Sequence, residues 1–174
     1  MRKVLTTQMA INKEAALKEL ERIIKQMLVT RLFKKSYDIQ DALLLYVPFA
    51  LSEYYIKDTG KTKKAKRMQH IFLSTELATG LVKPFADLSG FEIEEKTLED
   101  HQVAYQEPDM DSILKKGRTE LLFKILPKNL KYWKEYDIEL IDSKIVYRPL
   151  WIIRYKLFGK KMRIYKSYGD NFNL

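Results

Sequence analysis

The chain has 174 residues, 46% of them hydrophobic, enough to bury the core of one ordinary domain or of two small ones without covalent staples. It contains no cysteine, which excludes disulfides, thiol nucleophiles, thiolate zinc sites and iron–sulfur clusters together. A formal charge of +9 admits nucleic acid, an anionic membrane face or an acidic protein as partner, but most of the cations are Lys, whereas phosphate and base recognition lean on the rigid Arg fork.

Arg2 and Lys3 lead into Val4-Leu5, but Thr6-Thr7-Gln8 and a charged segment follow in place of the apolar core of a secretory signal. The longest apolar run, 42–51, is about half of the roughly 20 residues that a spanning helix needs, and Pro48 interrupts it. A soluble, cytoplasmic protein is the expectation. The first periodic signal starts at Asn12, an N-cap residue with Glu14 in the first turn behind it. Leu17, Leu20, Ile24 and Met27, widened by Ala16, Ile23 and Leu28, make an apolar stripe at helical spacing that runs to Phe33. Glu14–Lys18 and Glu21–Lys25 set opposite charges four apart on the wet face. The stripe predicts a helix over 12–33 that packs on a sheet.

From Tyr37 the period changes. Ile39, Ala42 to Tyr46 and Phe49 to Ile56 are rich in β-formers and aromatics on either side of Pro48, and a proline inside such a run predicts a bulge or kink. A turn at Asp58-Thr59-Gly60 and a run of cations, Lys61, Lys63, Lys64, Lys66 and Arg67, lead into a further strand from Met68. Between 81 and 111 nine acids face only Lys83 and Lys96, and Pro84, Gly90 and Pro108 punctuate the stretch. It reads as an acidic linker with a strand near Phe91 to Ile93. Asp109 or Asp111 then caps a helix over 110–125, weakened by Gly117 and stopped by Pro127.

The second strand set echoes the first. Tyr136-Asp137-Ile138 matches Tyr37-Asp38-Ile39, and Tyr147-Arg148-Pro149 with its apolar run and Tyr155 matches Tyr46-Val47-Pro48 and Tyr54. Lys160-Lys161-Met162 likewise matches Lys66-Arg67-Met68. The order helix, strands, linker, helix, strands predicts an α+β fold, a tandem duplication of a helix followed by an antiparallel β-meander. Its repeats are placed at 1–80 and 110–174, its linker at 81–109, and the two repeats are expected to pack as one compact unit. Tyr46, Pro48, Tyr147, Pro149 and Trp151 are the structural motif, with Trp151 expected between sheet and helix.

At Tyr147, Pro149, Trp151 and Tyr155 the chain resembles a group of uncharacterised bacterial domains in which a Tyr-x-Pro strand with a Trp precedes a hairpin. Such domains are similar to cystatin-like or PepSY-like helix-plus-meander units. In the first copy Ala50 stands where Trp151 does, a departure from the pattern. The resemblance implies the fold and carries no activity.

Catalytic chemistry is thinly supplied. Six glycines stand singly, and Gly60-Lys61-Thr62 lacks the earlier glycine of a phosphate loop. His70 and His101 without cysteine do not make the usual zinc site, and Ser74, Ser89 and Ser167 sit in no nucleophile motif. Asp38 and Asp137 match across the copies, but Asp after Tyr at a strand entry caps or turns the backbone more often than it forms an acid pair. No enzyme, cofactor or metal is expected. The first reading is a protein-interaction or assembly module that uses an open sheet edge, with a protein partner or self-association. The alternative is nucleic acid or another polyanion at two basic hairpin tips, Lys61, Lys63, Lys64, Lys66 and Arg67 in one copy and Lys160, Lys161 and Arg163 in the other.

Overall fold

Two strands of 22 residues dominate the architecture. A computed structural model describes residues 1–27, 37–58, 68–85, 92–104, 109–121, 123 and 136–170. In chain order these form β1 (Arg2–Thr7), α1 (Lys13–Gln26), β2 (Tyr37–Asp58), β3 (Met68–Glu76), β4 (Val82–Phe85), β5 (Ile93–Leu98), a 3-10 turn (Asp100–Gln102), α2 (Met110–Glu120), β6 (Tyr136–Leu157) and β7 (Met162–Tyr168). The seven strands make one mixed sheet in the order β4-β3-β2-β6-β1-β5, with β7 paired to β6.

The expected α+β tandem of cystatin-like helix-plus-meander repeats is therefore corrected to a single mixed sheet carrying two α-helices among the described residues. The physical reason is strand length. Each long strand runs for 22 residues, about four times the usual five or six. A strand that long serves more than one hydrophobic cluster. One compact unit accordingly comprises Met1–Val47, Glu92–Ala104 and Tyr147–Asn173, and the other Pro48–Phe91 and Tyr105–Val146 with Leu174. Each unit takes one half of β2 and one half of β6.

The prolines mark where each long strand changes lateral partner. β2 bridges Val103 in parallel at Tyr46 and pairs antiparallel with β3 from Phe49 onward. β6 meets β1 in parallel at the Thr6↔Tyr147 pair and pairs antiparallel with β7 from Leu150 onward. Pro48 and Pro149 sit between the two ladders, where the missing N–H breaks neither. Their carbonyls remain in use, accepting from the N–H of Leu77 at 3.1 Å and of Gly169 at 2.7 Å.

In the first unit Asn12 caps α1 by accepting from the Ala15 N–H at 2.9 Å. The helix buries Ala16, Leu20 and Ile24 against Trp151, Ile153, Tyr155 and Leu157, alternate residues of β6 that share one face. Ile39 and Ala42 both pack on this cluster although three positions apart, so the alternation of β2 slips by one residue at Gln40–Asp41, as a bulge requires. The Trp151 indole N–H donates to the Ile11 carbonyl at 2.9 Å.

Beside this core Arg148 is only 2% exposed. Its guanidinium donates to both Asp170 oxygens, at 2.9 and 2.7 Å, and lies 4.0 Å from the centre of the Tyr168 ring. The Thr7 hydroxyl donates to the same carboxylate, so β1, β6 and the segment after β7 meet at one ion pair. Removing one member leaves the other charge buried alone, which costs about 3–5 kcal/mol. Asp170→Asn should show that loss in chemical denaturation, and adding Arg148→Met should recover part of it. An Asp170→Asn protein as stable as the wild type would contradict the network.

In the second unit Asp109 caps α2 through the Asp111 N–H at 3.1 Å, and Leu121, just past its end, joins Tyr54, Ile56, Leu73 and Ile138 in a separate cluster. Gly117 turns out to be a contact. A Cβ there would lie 2.9 Å from the Tyr54 hydroxyl, which donates to the Leu114 carbonyl at 3.3 Å. Gly117→Ala should therefore lower the melting temperature, against the gain of about 1 kcal/mol that helix propensity alone offers. In a Tyr54→Phe background the same substitution should become stabilising.

Candidate interaction surface

Of the residues expected to bind anions, Lys61, Lys63, Lys64, Lys66 and Arg67 lie outside the described residues. Lys160, Lys161 and Arg163 are exposed on the β6–β7 hairpin. Phe158 and Gly159 at its turn have φ of 55° and 64°, and the Lys160 N–H donates to the Leu157 carbonyl at 3.0 Å. Two consecutive left-handed residues match the twist of the flanking strands. Glycine adopts that conformation freely, while Phe158 is held in it by packing against the α1 cluster.

The register then distributes the side chains of β7. Arg163 stands opposite Tyr155, on the face covered by α1, and Ile164 stands opposite Arg154, on the reverse. Alternation puts Met162, Ile164 and Lys166 together on that reverse face. The cations are thus divided between two faces. Arg154 also binds Asp41 through both carboxylate oxygens, and this hydrogen-bonded pairing holds the Asp41 carboxyl below its usual range. Leu43, two residues on from Asp41, shares its face. Ile164, Leu43 and Met162 are 59%, 51% and 41% exposed there.

Among the described residues β7 pairs with β6 alone, so its outer edge presents backbone donors and acceptors. The two strands at the ends of the sheet order differ in character. β4 carries Pro84, which removes a donor, and β5 is flanked and filled by Glu92, Glu94, Glu95, Glu99 and Asp100. Sequence reasoning named the basic residues of this hairpin and missed Ile164, Met162 and Leu43. The available signal was Met162-Arg163-Ile164-Tyr165, whose apolar residues fall on both faces of the strand.

The remaining candidates serve the fold. Tyr46, Pro48, Tyr147, Pro149 and Trp151 are all buried, so these aromatics are not displayed for stacking on bases. The Tyr46 hydroxyl accepts from Lys96 at 2.8 Å, and Tyr147 accepts from Arg2 at 3.4 Å. Asp38 is exposed and accepts from the Gln40 amide, and Asp137 is exposed. His70 contacts Glu53 at 2.7 Å and His101 contacts Glu99 at 3.2 Å, while no group of three potential metal ligands occurs among the described residues. A groove of about 280 Å³ is lined by Tyr54, Leu114, Lys115, Arg118, Ile138 and Leu140, and burial pushes the Tyr54 phenol above its ordinary range. Among the described residues its lining includes no carboxylate or histidine to act as a base. No helix among the described residues is long and apolar enough to cross a membrane. No family model, curated protein or solved structure matches the chain.

Proposed function

We propose that the protein is a non-enzymatic interaction module that takes an extended segment of a partner protein onto the outer edge of β7. The observation that carries this reading is an edge strand that, among the described residues, pairs on one side only, with Met162 and Ile164 41% and 59% exposed along it. Strand addition uses these two features for different purposes. The backbone ladder supplies affinity for an extended chain of any sequence, and the apolar side chains on one face select the residues that alternate along it. Lys160, Lys161, Arg163 and Lys166, with no acid between them, favour an acidic partner and speed its approach.

The same cations support the second reading, a nucleic acid or other polyanion held at the hairpin tip. Their division between the two faces of β7 weighs against a single phosphate-tracking groove. Immobilised protein should capture a protein partner from nuclease-treated cell extract, and Met162→Lys with Ile164→Lys should reduce that capture by at least about tenfold while leaving the melting temperature unchanged. Capture that disappears on nuclease treatment would favour the polyanion. Equal capture by the double variant would exclude the β7 edge.

A further inference from the structure

We infer that a segment received by β7 is β5 of a second copy of this chain. The inference rests on the reading of β7 as a docking edge and names its occupant. β5 and β7 belong to the same compact unit, and among the described residues each pairs on one side only, β5 with β1 and β7 with β6. Their charges are opposite. The stretch 160–168 carries Lys160, Lys161, Arg163 and Lys166 and no acid, while 92–100 carries Glu92, Glu94, Glu95, Glu99 and Asp100 with Lys96 as its one base.

Lys96 is drawn away from that edge. Its ammonium donates to the Tyr46 hydroxyl at 2.8 Å and lies 5.2 Å from the centre of the same ring. Glu99 and Asp100 have exposed partners, His101 at 3.2 Å and the terminal amine at 3.9 Å, and Glu94 and Glu95 are exposed. An antiparallel pairing of β5 against β7 of the neighbouring copy sets Lys160 opposite Asp100, Lys161 opposite Glu99 and Lys166 opposite Glu94 in one register. The same register places Met162 opposite Leu98, which its own chain already buries, and Ile164 opposite Lys96, whose ammonium is turned to Tyr46, so the charge pairs carry the choice of partner. Pairing β7 with β7, or β5 with β5, would set like charges face to face instead.

Such a contact joins two different surfaces, so each copy that offers β5 still has β7 free. Association then proceeds head to tail, and it ends only if the successive rotations close a ring. It also depends on charges at the surface, and raising the salt shortens their reach.

Sedimentation of the purified chain as a function of concentration decides the matter. The wild type should form species beyond a dimer at low salt and dissociate at high salt. Lys161→Glu with Lys166→Glu, and separately Glu94→Lys with Glu99→Lys, should each weaken self-association by at least about tenfold. An equimolar mixture of the two variants should restore it, because the reversed β7 of one now complements the reversed β5 of the other. All four positions are exposed, and unchanged melting curves confirm the folds. A wild type that stays monomeric at low salt would overturn the inference, as would association that both reversals leave intact or a mixture that stays dissociated. A monomeric wild type that still captures another protein through Met162 and Ile164 would remove self-pairing alone and leave the docking edge standing.

Discussion

The sheet depends on where two long strands are allowed to lack a backbone donor. A proline inside a paired strand breaks its ladder, yet β2 and β6 each contain one near the middle. Both occupy the interval in which one lateral partner has ended and the next has not begun, after Tyr46↔Val103 in β2 and after Tyr147↔Thr6 in β6. The change of partner lets one strand contribute to two clusters, and the limits of the compact units fall at 47/48 and 146/147, beside these positions. Arg148 lies between Tyr147 and Pro149, and its buried bond to Asp170 draws the segment after β7 back to this place.

Much of this was present in the pattern of residues, though not as a finished fold. The α1 stripe fixes its own packing face, because Ala16, Leu20 and Ile24 recur at helical spacing and the structure buries those three. The Tyr-x-Pro echo located the two partner changes, but a proline in a strand pattern states only that a donor is missing there. Which strands end beside it depends on residues far apart in the chain, such as Thr6 and Tyr147, and no local period encodes that pairing. β5 was obscured for another reason. Glu94, Glu95 and Lys96 have little strand propensity, and only pairing with β1 along Arg2–Thr7 makes the segment extended.

Side-chain roles stay hidden from the sequence where a residue's type contradicts its environment. Arg148 is charged and yet nearly inaccessible, with Asp170 and Tyr168 around it. Gly117 looks like a weak point in a helix and is instead the space that Tyr54 occupies. Ile164 is apolar and yet 59% exposed. The last case bears on function. An apolar, β-branched residue left on an open edge invites pairing, and among the described residues β7 carries one on a strand that has neither the proline of β4 nor the row of acids of β5.

The central claim is that β7 is an open edge awaiting a strand, and amide hydrogen exchange by NMR tests it most directly. In dilute protein the β7 amides bonded to β6 should be protected and the intervening ones should exchange rapidly. As concentration rises at low salt, those intervening amides and the outward amides of β5 should become protected together. Uniform protection along β7 in dilute protein would contradict the account, because it would mean that the edge is already covered within one molecule.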